Sequence, residues 1–140
     1  MRGLTITQPW AEAVASGIKE WETRSWRTAY RGPVAIHAAK GFPRDAREFA
    51  EVERALGRMP TRIAVGAIIA VADLTSIRPA EEVALEVSAI ERLYGDYTPG
   101  RWAWHLKNVR RLPEPIGYRG ALGLWMLDAD TIAQMRGEAR

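Results

Sequence analysis

The chain has 140 residues, 47% of them hydrophobic and 26% charged, with a formal net charge of +3; this suits one globular domain spanning 1–140 around a single sizeable core. With no cysteine, disulfides, thiolate zinc sites and Cys nucleophiles are excluded, and with only His37 and His105 no metal centre and no cofactor are expected. The mild basicity favours a polyanionic partner, no apolar run approaches the roughly 20 residues of a membrane span, and Met1–Thr5 lacks a signal-peptide pattern, so a cytoplasmic protein without membrane contact is expected.

Leu4-Thr5-Ile6-Thr7 alternates apolar and polar residues, which predicts a half-buried strand. Pro9 suits the first turn of a following helix and keeps Gln8 out of helical geometry. Trp10, Ala13 and Val14 share one helical face, and Gly17 terminates it. A strand then covers 20–26, where alternation puts Glu20, Glu22, Arg24 and Trp26 on one face and Trp21, Thr23 and Ser25 on the other.

Arg31-Gly32-Pro33 is a turn, and Val34–Ala39 reads as a buried strand. Pro43 opens an amphipathic helix whose stripe is Ala46, Phe49, Ala50 and Leu56, ended by Gly57 and Pro60. Ile63–Leu74 is almost wholly apolar, a strand covered on both faces, with Gly66 as a bulge or close backbone contact. A second helix is predicted from Pro79 to Gly95, with Val83, Val87, Ile90 and Tyr94 at helical spacing.

Arg101–Leu112 alternates, with Trp102, Trp104 and Leu106 in phase until Lys107-Asn108, where a β-bulge is predicted. After Pro113-Glu114-Pro115 a last strand covers Ala121–Leu127, and Asp128 caps a short helix. Strands interrupted by helices, with little βαβ regularity, argue for an α+β fold: a small, partly open, mixed barrel with helices at its rim.

The segment Gly17–Trp26 carries one Lys, two Glu, one Arg and two Trp. A buried strand does not hold that many unpaired charges, and a surface strand rarely carries two Trp. The combination suits the floor of a half-open cleft in which charges pair with each other and aromatic faces meet a planar ligand. Lys19 would contact phosphate or a base carbonyl, or serve as a base if desolvated. Glu22 offers an acceptor to an exocyclic amine, and Arg24 a planar donor fork; the two also fit a structural ion pair.

Trp10 and Trp26 are candidates to stack on a base, whereas Trp21, Trp102 and Trp125 sit in strand patterns typical of core. Gln8 caps the first helix or bonds a base from it. Arg31 and Arg119 precede glycines at turns and suit phosphate at a rim. His37, inside an apolar strand, reads as a satisfied core histidine or a proton carrier.

Several motifs together resemble the ASCH domain family, of the PUA-like superfamily of small barrels. They are Gln8-Pro9-Trp10, Gly17-x-Lys19-x-x-Glu22-x-Arg24-Ser25-Trp26, Arg31-Gly32-Pro33 and Ile36–Lys40. Trp104-His105-Leu106-x-Asn108-Val109, Pro115, Arg119-Gly120-Ala121 and Gly123-Leu124-Trp125 continue the likeness to the closing strands. The resemblance implies a cleft floored by the Gly-x-Lys-x-x-Glu-x-Arg motif, and as partner RNA, a modified nucleoside or nucleotide, or DNA.

It also implies an alternative. One branch of the family removes acetyl from N4-acetylcytidine with a Lys, a Thr three positions later and a distant Glu, and another branch cuts RNA. Here Lys19 matches the Lys, Glu22 occupies the Thr position with Thr23 next to it, and Glu82, Glu86 and Glu91 are candidates for the distant Glu. As a hydrolase, the chain would use Lys19 and Glu22 as catalytic groups.

Overall fold

The structure is a computed structural model that describes residues 1–137; the last three residues of the expected 1–140 domain lie outside the described residues. Six strands form one sheet in the order β2-β5-β4-β3-β1-β6. They are β1 (Arg2–Ile6), β2 (Trp21–Arg24), β3 (Gly32–Ala38), β4 (Ala67–Pro79), β5 (Trp102–Gly117) and β6 (Leu124–Met126). β1 and β3 run parallel and every other pairing is antiparallel. The sheet curls into a half-barrel, the α+β, partly open architecture expected from the sequence.

Around it lie α1 (Trp10–Ser16), α2 (Arg44–Ala55), α3 (Ala80–Val83), α4 (Ala89–Leu93) and α5 (Ala129–Met135). α1 is built of small residues, and Ala11, Ala13 and Val14 are fully covered. Small side chains let the helix sit close on the sheet, and the main core forms there from Leu4, Ile6, Val34, Ile36, Leu74, Trp104 and Leu106. One acidic residue of α1, Glu12, is also buried, and Arg111 of β5 bonds both its carboxylate oxygens. No described helix is long and apolar enough to cross a membrane.

Several expectations about elements change. The last strand, expected over Ala121–Leu127, is only Leu124–Met126 because Gly123 adopts φ 70°, and β3 already begins at Gly32, inside the expected turn. The strand expected over Ile63–Leu74 begins only at Ala67, because Gly66 adopts φ 64° and breaks the extended chain, and it runs on to Pro79, whose partner is Trp102. β5 continues through Pro113 and Pro115 to Gly117: on β4 the pairing passes from Ile68 to Ala70, while on β5 it jumps from Ile116 to Arg111. The prolines fall in that unpaired stretch, where no N–H is required. The bulge expected at Lys107-Asn108 is present, with Asn108 at φ 51°.

The helix expected over Pro79–Gly95 is two short pieces. Ser88 restarts the chain as an extended N-cap whose hydroxyl accepts from the Glu91 N–H at 3.1 Å. The interruption at 84–88 turns α4 so that Glu91, rather than the apolar Ile90, faces inward; Glu91 is buried and Ile90 is exposed.

Candidate functional site

The left-handed residue Gly17 (φ 86°) ends α1 and turns the chain back, so that the Lys19 N–H donates to Ala13 O at 3.1 Å. β2 follows, pairing only with β5. At this edge of the sheet the chain delivers Lys19, Glu22 and Arg24 to one cleft of about 430 Å³, a volume in the range of small-molecule sites. Trp10 and Thr5 line it too, as does the 93–96 segment at the end of α4.

The three motif side chains are linked. Lys19 Nζ donates to the Tyr94 carbonyl at 2.8 Å and lies 3.5 Å from Glu22 Oε1. Glu22 Oε2 lies 3.1 Å from Arg24 Nε, an ionic contact without the alignment of a hydrogen bond. Arg24 Nη2 donates to Thr5 O at 2.6 Å. Exposure rises along this chain of contacts, with Lys19 1%, Glu22 10% and Arg24 23% exposed as side chains. Lys19 is therefore the floor of the cleft, and Arg24 is the cation that solvent reaches. An ammonium has three donors, one of which bonds Tyr94 O while the charge pairs with Glu22.

Sequence reasoning did not find several of the groups that complete this site. Arg101, at the start of β5, donates from Nη2 to Thr23 O at 3.2 Å and from Nε to Asp96 O at 3.1 Å. The Thr23 hydroxyl accepts from the Asp96 N–H at 3.0 Å, and the Thr98 hydrogen bonds hold the Asp96 carboxyl below the usual range. The cleft is thus lined by three cations and two carboxylates, a mixed field in which donors and acceptors lie side by side.

Behind Lys19, the buried Glu91 accepts from the Glu20 N–H at 2.8 Å through Oε1, while Oε2 is buried without a partner. Burial pushes the Glu91 carboxyl up, against the opposing pull of the Glu20 N–H and of Lys19. The Tyr97 hydroxyl, likewise buried and unpartnered, is pushed up by burial and by the charges of Glu91 and Glu22. Gly95 makes room for this packing: a Cβ there would stand 2.8 Å from Tyr97 Cε1 and 3.4 Å from Lys19 Nζ. The only local signal for Glu91 was Ser88 three residues before it, a capping pattern.

The remaining candidates are dispersed. Trp10 lines the cleft and stacks on Phe49 at 5.7 Å. Gln8 is fully buried, its amide donating to Ala64 O at 2.7 Å and its carbonyl accepting from the Glu12 N–H at 2.9 Å, so it caps α1 from within. β2 stops at Arg24, and Trp26 leaves its face to meet Trp104 edge-on at 4.7 Å, outside the cleft. Arg31 donates to Thr28 O and Tyr30 O at 2.8 Å, bracing its own turn. Arg119 lies at a second cleft across Thr5.

Of the three glutamates weighed for the distant position, Glu86 pairs with Arg78 at the surface, Glu82 is exposed, and only Glu91 is buried and faces Lys19 electrostatically. Among the described residues no group of His, Asp or Glu is placed to hold a metal ion.

The family model described as the ASCH domain matches residues 4–116. No curated protein matches the chain. Among solved structures, the chain is similar to ASCH from Zymomonas mobilis, with a TM-score of 0.61 and 16% identity over 97% of this chain and 93% of that one. Two mutant proteins of the Zymomonas mobilis ASCH give TM-scores of 0.62 and 0.61, again at 16% identity, covering 96% and 94% of those chains. At that identity the likeness is one of fold.

Proposed function

This chain belongs to the ASCH domain family, and from that premise we propose that it binds RNA or a nucleotide-like ligand, seating a base in the cleft around Lys19, Glu22 and Arg24. The observation that carries this reading is the convergence of all three motif side chains on one opening, where Glu22 presents an acceptor between two fixed cations. A carboxylate so placed accepts from the exocyclic amine of a cytosine-like edge, as carboxylates do in groove readout. Arg24 and Arg101, both partly exposed, supply the donors for phosphate or a base carbonyl. Trp10 supplies the stacking face. Trp26, Arg31 and Gln8 are assigned to the framework in this reading, since each has an internal partner.

Titrating the protein with short single-stranded RNA at about 50 mM and about 200 mM salt tests the proposal, because phosphate contacts make affinity fall with salt. Binding that weakens with salt, and that drops about tenfold or more in Arg24→Ala, is expected, a loss of order 1–3 kcal/mol. No binding at low salt, or an affinity indifferent to salt, overturns it.

One observation favours a second reading, hydrolysis of an acylated nucleoside. Glu91 is a buried carboxyl shifted upward beside the buried Lys19, an arrangement suited to proton transfer. In that reaction water adds to the acetyl carbonyl, the C–N bond breaks, and acetate and cytidine leave. Lys19 and Glu22 would hold the carbonyl and the amine, and Glu91 would carry the proton. Incubation with N4-acetylcytidine, followed by chromatography for cytidine, decides it: turnover must appear in the wild type and vanish in Lys19→Ala and Glu91→Gln.

A further inference from the structure

On the far side of Thr5 from the motif cleft lies a larger cleft, of about 1070 Å³. Thr5 is the saddle between them. Its carbonyl accepts from Arg24 on one side, and its hydroxyl bonds His37 Nδ1 at 3.1 Å on the other. The floor of the second cleft is closed chemistry. His37 is 2% exposed, and its Nε2 lies 2.7 Å from the Tyr118 carbonyl. A carbonyl can only accept, so Nε2 carries the proton and Nδ1 accepts from Thr5. Both ring nitrogens are therefore occupied. The 119–121 backbone rests directly on this pair: a Cβ at Gly120 would stand 2.5 Å from Thr5 Oγ1 and 2.7 Å from the His37 ring.

The rim of that cleft is a different matter. Lys40, just after β3, and Arg119, between β5 and β6, line it, and both are exposed. Neither has a hydrogen-bond or ion-pair partner among the described residues. No carboxylate lines this cleft, whereas two line its neighbour. Two unpaired cations facing a hollow without a counter-ion make a site for a phosphodiester. The adjoining mixed-charge cleft suits a base edge instead.

Resting on the reading of the motif cleft given above, we infer that the two clefts form one track across Thr5 for a single-stranded polynucleotide. One base sits beside Glu22, and a neighbouring backbone phosphate sits between Lys40 and Arg119. The ligand is then an oligonucleotide and not a free nucleoside. A duplex does not fit this division, because a base entering the first cleft must already be unpaired. Linking the two contacts through one strand makes the second intramolecular, so affinity rises with length without a new kind of contact.

The test compares cytidine 5′-monophosphate with a cytidine-containing ribotetranucleotide and its deoxy counterpart, by calorimetry or anisotropy across a salt series. The variants are wild type, Arg24→Ala and the double variant Lys40→Ala/Arg119→Ala. Both double-variant positions are exposed and unpaired, so folding is not at stake. The tetranucleotide is expected to bind at least tenfold more tightly than the mononucleotide. The double variant is expected to lose that gain while keeping wild-type mononucleotide affinity, and its salt slope should fall by about 0.7, the value for one phosphate on a single strand. The ribo and deoxy arms identify which backbone supplies the phosphodiester.

If the mononucleotide binds in an Arg24-dependent way, and the tetranucleotide gains nothing or the double variant binds it as well as wild type, the track is overturned and the motif cleft survives. If neither ligand binds wild type, both readings fall.

Discussion

Glu22 stands between two cations, one of them an almost wholly buried ammonium, and its removal separates stability from function. In Glu22→Ala, Lys19, 1% exposed in the wild type, would lose its ion-pair partner and keep the Tyr94 carbonyl as its hydrogen-bond acceptor. Removing one partner of a buried pair costs about 3–5 kcal/mol, because the other charge stays desolvated. Replacing both members by apolar groups of similar volume is often nearly neutral. We therefore expect Glu22→Ala to lower the urea midpoint markedly, and Lys19→Met/Glu22→Leu to recover most of the loss. The double variant should still fail to bind RNA. Equal midpoints for the two variants would mean that leaving Lys19 unpaired carries no penalty.

At the scale of elements, the cleft is held by a link that starts far from it. Glu53 of α2 accepts from Arg58 Nε and Nη2, at 2.7 and 3.1 Å, and from the Tyr94 hydroxyl at 2.7 Å. The carbonyl of Tyr94 in turn receives Lys19. The segment that closes the cleft is thereby tied to α2 by a side chain and, by its backbone, to Lys19 ahead of β2. Tyr94→Phe removes only the first tie. A hydrogen bond to a charged acceptor is worth about 1.5–3 kcal/mol, so the variant should unfold at lower urea by roughly that amount, with the Lys19 contact intact. Ligand affinity should change less than threefold if the backbone tie suffices, which calorimetry on the same samples measures.

For the whole molecule, two buried glutamates give opposite pH dependences. Hydrogen bonding from Arg58 chiefly holds the Glu53 carboxyl below its ordinary 4.5. Its contribution to stability is therefore full above the ordinary carboxylate range and lost as pH falls through the depressed value. Burial chiefly holds Glu91 above 4.5. The folded chain binds that proton more tightly than the unfolded one, so this contribution is present at acid pH and lost as pH rises through the raised value. Denaturation midpoints between about pH 2 and about pH 7 should show a weaker acid-side loss in Glu53→Gln and a weaker decline above the carboxylate range in Glu91→Gln. The same slope in wild type and variant would remove that residue from the account.

Local chemistry alone was enough to read much of this protein. Alternation and helical spacing, with Gly17, Pro43 and Asp128 as stops and caps, mark β1, α1, α2 and α5 where they occur, because each signal acts through neighbouring backbone groups. The density of charge and Trp at 17–26 likewise announces a cleft, which Lys19, Glu22 and Arg24 line together. Tertiary contact decided the rest. Trp26 and Gln8 became framework because Trp104 and Ala64 lie against them, and no spacing in the chain encodes that approach. Arg101 joined the cleft, and Glu91 and Tyr97 packed behind Lys19, because β5 pairs with β2 and the chain breaks at 84–88. Burial and counter-charges, which set how each of these groups behaves, exist only once strands distant in sequence are side by side.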